Sequence, residues 1–167
     1  MVKYVFITTA NLLFIVAAAN LLGLRVNTTE SYPEGIYRLV SDDWNKSDLV
    51  EACLPNEVRD FAISRGYIKE NGRCDGHPSI IKNVMGVEGD QITITDGIEI
   101  NGVGIQDASI RRSDMEGRAL TATNDTVVEP GEVWLMSTHS EVSFDSRYFG
   151  AVGVENVLGK LEPLWEF

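Results

Sequence analysis

Three short stretches carry side chains that could together break a peptide bond. NTTESYPEGIYRL, residues 27–39, sets Ser31 in a Ser-x-Pro-x-Gly turn. SIIKNVMGV, residues 79–87, is an apolar run holding a single charged side chain, Lys82. SFDSRYFG, residues 143–150, crowds Ser143, Asp145, Ser146 and Arg147 before an aromatic pair. A serine hydroxyl is a poor nucleophile until a base takes its proton. The bases on offer are Lys82 and two histidines, His77 in CDGHPS and His139 in STHSE. A histidine would complete a Ser-His-Asp arrangement, whereas a Ser-Lys dyad needs none. Lysine serves as a base only where burial disfavours its ammonium form. Each stretch also has a plain structural reading. Ser-x-Pro-x-Gly is good turn chemistry, a lysine in a strand often faces solvent on an edge, and Asp145 with Arg147 makes an ordinary surface ion pair.

The elements that must position these residues read mainly as strands. Ile36–Val40, Leu49–Leu54 and Ser79–Val87 are strand-like, and Gln91–Thr95 with Ile98–Asn101 alternate around Asp96-Gly97 as a hairpin. Val127-Val128 and Val133–Met136, divided by Pro130-Gly131, read as a further strand pair, and Ala151–Leu161 as a late strand or two. Between them, Val58, Phe61, Ala62 and Tyr67 fall at helical spacing after Pro55-Asn56-Glu57, with Gly66 as the stop. The expectation is a β-rich domain with a small helical insert at about residues 55–75.

Cys53 and Cys74 are the two cysteines. In an exported domain an even count suggests a disulfide, and two core thiols are the alternative. Neither the cysteines nor the isolated His77 and His139 fit a zinc site, and the dyad chemistry calls for no cofactor. The net charge of −11, from 25 acidic and 14 basic residues, disfavours nucleic acid as a partner. Three Asn-x-Ser/Thr sequons, at Asn27, Asn45 and Asn124, are weak signals in a chain this rich in those residues.

Tyr4–Leu24 carries no charged side chain, about the length that crosses ~30 Å of hydrocarbon as a helix. The favoured reading is an uncleaved anchor, residues 1–25, followed by a domain from 26 to 167 outside the cytoplasm. A cleavable signal peptide ending near Ala17-Ala18-Ala19 and a buried core helix are the alternatives. Lys3 before the run and Arg25 after it leave the positive-inside vote nearly tied.

Taken in order, the apolar N-terminus, NTTESYPEGIYRL, the CLP stretch with its second cysteine in GRCDG, KNVMGVEGD and SFDSRYFG resemble the signal peptidase superfamily of Ser-Lys proteases. The resemblance is nearest to the TraF-like peptidases of conjugative transfer. It implies a signal-peptidase-like β-rich fold with one N-terminal transmembrane helix in the bacterial inner membrane and a periplasmic catalytic domain. It implies Ser31 as nucleophile and Lys82 as general base. Thr29 matches a hydroxyl that helps the Ser31 N–H hold an oxyanion, and Ser143 one that orients the lysine. Asp145 matches an acidic residue that is either a third catalytic member or a support, with Arg147 bracing it. The implied partners are the lipid bilayer and a membrane-tethered pilin precursor or other pre-protein, cut and in some relatives cyclised. Tyr32 after Ser31, Pro33 two residues on, and STHSEV before SFDSRYFG depart from housekeeping signal peptidases. A self-cleaving repressor-type protease and a non-catalytic envelope subunit are the competing assignments.

Overall fold

The computed structural model describes residues 18–68 and 72–167. Most of the uncharged run 4–24, and with it the expected anchor, lies outside the described residues. Among those described, no helix is long and apolar enough to cross a membrane.

Eleven strands form two sheets among the described residues. In chain order they are β1 (Leu24–Asn27), β2 (Gly35–Ser41), β3 (Leu49–Cys53), β4 (Ser79–Val87), β5 (Gln91–Ile94), β6 (Ile98–Ile100), β7 (Val103–Gly104), β8 (Thr126–Val127), β9 (Glu132–Met136), β10 (Val152–Gly153) and β11 (Val157–Glu166). The larger sheet runs β1-β2-β11-β3-β4-β9-β10 and the smaller β7-β6-β5-β8. All neighbours for which pairing is resolved are antiparallel. After β1 come, among the described residues, two α-helices, α1 (Asn56–Arg65) and α2 (Ser146–Phe149), and a 3-10 helix at Val154–Asn156. The β-rich fold and the small helical insert therefore match the reading of the sequence.

β4 shows how sequence becomes placement. Its burial alternates along SIIKNVMGV, with Ile80, Lys82, Val84 and Gly86 inward, as a strand's two-residue side-chain period requires. Because β3 and β9 flank it, β4 is a central strand. Lys82 thus faces the core, not a solvated edge. That core joins Val50, Ala52, Leu54, Ile80, Val84 and Leu135, with α1 packing on through Ala62. Gly66 ends α1 with φ 72°, in the left-handed region glycine enters without a Cβ clash. A second core, around Ile92, Ile98, Val128 and Trp134, sits between the two sheets.

Three expectations are corrected. Val127-Val128 and Val133–Met136 do not pair with each other: β8 joins β5 and β9 joins β4. The segment at 126–128 is drawn to the hairpin because Val128 packs with Ile92 and Ile98. The sheet also begins at Leu24, so β1 straddles the boundary placed after residue 25, its backbone paired to β2 from Leu24↔Arg38 to Asn27↔Gly35. Finally, β11 runs on to Glu166 past Pro163, a residue tolerated where the register shifts by a bulge. β7 follows a tight turn at Asn101-Gly102, φ 54° and 75°, the positive-φ pair that a two-residue hairpin demands.

Cys53, at the end of β3, is bonded to Cys74 with Cα atoms 5.7 Å apart. The bond closes the segment containing α1 and holds the loop with Arg73 against β3 and β4. Cys74→Ser, or reduction, is expected to lower unfolding free energy by about 3 kcal/mol, read as a drop in Tm between oxidised and reduced protein. An unchanged Tm would show that packing alone holds the insert.

Candidate active site

Ser31 and Lys82 line one cavity of about 480 Å³, together with Thr29, Asn27, Ser143 and Tyr67. Lys82 is 3% exposed. Burial pushes its amine down to about 8 from the ordinary 10.5; the Asp145 carboxylate opposes this and the Arg147 guanidinium adds to it. Among the described residues no hydrogen bond to Lys82 Nζ is formed. The amine is therefore poised to be neutral in mildly alkaline solution, which a proton acceptor needs.

Ser31 sits in the turn between β1 and β2. Its Oγ lies 3.2 Å from Thr29 Oγ1, and Thr29 Oγ1 donates to Asn27 Oδ1 at 2.8 Å. The backbone of this turn is pinned by side chains. Asn27 Nδ2 donates to the carbonyls of Thr29, Tyr32 and Pro33 at 3.1, 2.8 and 3.0 Å. Tyr37 Oη donates to the Pro33 carbonyl at 2.6 Å. Ser137, fully buried at the end of β9, donates its hydroxyl to the Ser31 carbonyl. Gly35 closes the turn where a Cβ would run into the Trp165 carbonyl of β11.

The third stretch forms a buried brace. Arg147 and Asp145 are both fully buried and pair side-on, Nε to Oδ1 and Nη2 to Oδ2, each at 2.8 Å. Asp145 also accepts from the N–H groups of Ser137 and Arg147. The guanidinium donates onward to the carbonyls of Ser109, Ser137 and Ser143. Asp145 caps α2, while Ser146 Oγ accepts from the Leu135 N–H. Lys82 is not among the hydrogen-bond partners of Asp145, which acts on it only through space. Ser143 is 2% exposed and its Oγ has no hydrogen-bond partner among the described residues, so the expected bond to Lys82 is not made in this state.

Neither histidine lines the cavity. His77 bridges Cys74 in an exposed loop. His139 is exposed, its ring 6.0 Å from that of Tyr32. The Ser-His arrangement is not assembled here.

Two open backbone edges flank the cavity. Val84 bonds toward the β3 side through Ser47 and Asp48. By alternation Ile81 directs its N–H and C=O groups to the opposite side, where, among the described residues, pairing with β9 starts only at Asn83↔Met136. On β1, the bond from Leu39 N–H to the Gly23 carbonyl sets the phase, so Val26 turns its backbone to the free edge. Val26 and Ile81 both line the cavity. Behind them, buried Glu51 gathers Arg25, Ser79 Oγ at 2.6 Å and Arg73 at 3.5 Å.

Sequence reasoning missed Asn27, Ser137 and the Glu51 cluster. Asn27 was legible only as a sequon. Its side chain is 5% exposed and its nitrogen is engaged with three carbonyls, so it cannot carry a glycan in this fold. An Asn two residues before a Thr, ahead of a Pro-Gly turn, is the pattern that could have flagged it as a turn-former. Ser137 and Glu51 gave no signal, because both depend on strand neighbours far away in sequence.

The brace and the buried amine make opposite stability predictions. Arg147→Ala strands a buried carboxylate and is expected to cost 3–5 kcal/mol, measured by denaturant unfolding. Lys82→Met is expected to be neutral or stabilising at pH 7. The sign follows from an amine whose folded pKa, about 8, lies below its unfolded value of 10.5. Its cost is full below pH 8 and fades as pH rises to 10.5, about 3 kcal/mol in all. The gain from Lys82→Met should shrink over that window, and a flat difference would place the amine in solvent.

Compared with known proteins, the sequence matches the family model described as signal peptidase, peptidase S26, over residues 1–165. It is 35% identical over 167 residues to the plasmid transfer protein TraF of Escherichia coli, covering 97% of this chain and 94% of that one. It is 36% identical over 149 residues to the conjugal transfer protein TraF of Agrobacterium fabrum, covering 87% and 84%. A solved signal peptidase I from Enterococcus faecalis aligns with a TM-score of 0.43 and 21% identity, covering 72% of this chain and 97% of that one.

Proposed function

We propose that this chain, which belongs to the signal peptidase family (peptidase S26), cleaves exported precursor proteins through a Ser31–Lys82 dyad and an acyl-enzyme. The observation that carries the reading is the fully desolvated amine of Lys82 lining one cavity with the Ser31 hydroxyl. Neutral Lys82 takes the Ser31 proton as Oγ attacks the scissile carbonyl, whose π electrons move onto oxygen. The protonated amine then delivers that proton to the leaving nitrogen as the C–N bond breaks. The Ser31 N–H and the Thr29 hydroxyl are assigned to the oxyanion, where a donor is worth ~3–4 kcal/mol. Ser143, whose buried hydroxyl lines the same cavity, is assigned to hold Lys82 once substrate enters. Asp145 is assigned to support, since Arg147 and two backbone N–H groups occupy its oxygens.

The open edges at Val26 and Ile81 suit an extended substrate that adds a strand between them, with small residues such as alanine at the cut. The TraF relatives carry names of plasmid and conjugal transfer, and the substrate class we assign is a membrane-tethered pilin precursor. The location we assign is the bacterial inner membrane: the apolar run ahead of β1 spans it once as an anchor, and the catalytic domain, which begins with β1 at Leu24, faces the periplasm. An anchored enzyme meets an anchored substrate at raised effective concentration. The acyl group passes to water, or to the substrate's own N-terminus to give a ring.

Co-expression with candidate pilin precursors, read by product mass, tests the assignment. Ser31→Ala, Lys82→Ala and Lys82→Arg are each expected to leave precursor whole, the last because guanidinium keeps its proton. Product lighter by one water than the cut linear chain means cyclisation. Full processing by Lys82→Arg would end the dyad reading in favour of a non-catalytic envelope subunit and a contaminating protease. With the base neutral in its active form, kcat should rise with pH to a plateau above about 8. A rate falling across that range would show that the ammonium form is the active one.

A further inference from the structure

The turn that carries Ser31 is organised by one buried amide. Asn27 Oδ1 accepts twice from Thr29, from its N–H at 3.1 Å and from its hydroxyl at 2.8 Å. Asn27 Nδ2 reaches three carbonyls of the same turn. Exchanging the amide's oxygen and nitrogen would set an oxygen against three carbonyl oxygens, so its orientation is fixed by its surroundings. A carbonyl oxygen has no proton to give. The Thr29 hydroxyl proton is therefore held by Asn27, and the 3.2 Å contact with Ser31 runs with Ser31 as donor.

We propose that Asn27 is a positioning residue of the nucleophile turn. Resting on the dyad reading above, its amide fixes the turn carbonyls and the Thr29 hydroxyl, and through them the place of Ser31 Oγ in the cavity; the Ser31 proton rests on Thr29 and turns to Lys82 Nζ when the hydroxyl attacks. Asn27 makes no hydrogen bond to Lys82 or Ser31 Oγ and acts through Thr29 and the turn backbone. The direction of proton donation also orders events. Thr29 cannot turn its proton to an oxyanion while Asn27 holds it and Ser31 donates to it. Once the Ser31 O–H bond breaks and the N–H bond forms on Lys82, Thr29 no longer receives that proton. Its hydroxyl is then released to swing from Asn27 toward the negative oxygen. Ser137, on the Ser31 carbonyl, fixes the same turn from the opposite side.

The test uses the full-length chain in detergent micelles with an internally quenched peptide carrying alanines at the cut, and a pilin precursor as second substrate. Asn27→Ala and Thr29→Val are each expected to lower kcat on the order of 10- to 100-fold, the scale of a mispositioned reacting group. KM and the pH midpoint of kcat should stay at their wild-type values. The double variant should be no slower than the slower single, because both break one chain of hydrogen bonds. A KM effect without a kcat effect, a shifted midpoint, multiplying losses or wild-type kcat would each overturn the proposal. If Asn27→Ala has no cooperative melting transition, Asn27→Ser decides, since it leaves the Thr29 hydroxyl in place but cannot span Thr29 and three turn carbonyls at once, and wild-type kcat in that variant overturns the proposal. Ser31→Ala separates the two readings. An inactive Ser31→Ala beside an unimpaired Asn27→Ala overturns only the role of Asn27. An active Ser31→Ala, or a wild type that cuts neither substrate, overturns the dyad and this proposal together.

Discussion

The structure turns on the cost of removing one amine from water. A lysine on a central strand, 3% exposed, is unfavourable as an ammonium ion and far less so as a free amine. Nothing in the described neighbourhood offers it a direct carboxylate. Asp145 is near enough to act through space, yet its oxygens are held by Arg147 and by backbone N–H groups. Had Asp145 turned to Lys82, an ion pair would have kept the lysine charged. The guanidinium thus does two things with one contact: it satisfies a buried carboxylate and withholds that carboxylate from the Lys82 amine. Buried pairs of this kind are poor evidence for stability in their own right, which favours reading the brace as a way to set the electrostatics of the cavity.

The two halves of the site are built differently. Lys82 rides on a sheet ladder, where geometry comes from many backbone bonds. Ser31 rides on a turn, where backbone groups have few partners of their own and side chains must supply them. Asn27, Tyr37 and Ser137 do so for the carbonyls of residues 29 and 31–33. Ser31, on a turn, is thereby given the rigidity of a sheet residue while remaining beside the edge strand β1.

Much of this was legible in the sequence. Apolar, strand-like runs located β2, β3 and β4, period-two alternation the β5–β6 hairpin, and helical spacing with Gly66 located α1, while an even cysteine count suggested the Cys53–Cys74 bond. The side that Lys82 faces was not legible. It depends on whether β4 is an edge strand, which is settled by β9 some fifty residues later. β1 was hidden because its first residue, Leu24, closes the apolar run. The partner of β8 was hidden because short strands pair by tertiary packing rather than local pattern. Asp145 and Arg147 were legible as neighbours, but only packing could reveal that the pair is fully buried and carries the loop's carbonyls.

One feature of the strand order bears on when the protein can work. β2 and β3 are consecutive in the chain yet not adjacent, because β11 lies between them. The turn bearing Ser31 and the strand bearing Lys82 therefore have no continuous backbone ladder joining them until residues 157–166 are in place. A chain made from its N-terminus holds Ser31 and Lys82 long before it holds that strand. That late strand is also the one that zips the two halves into a single sheet, so the cavity shared by Ser31 and Lys82 is completed only when β11 docks.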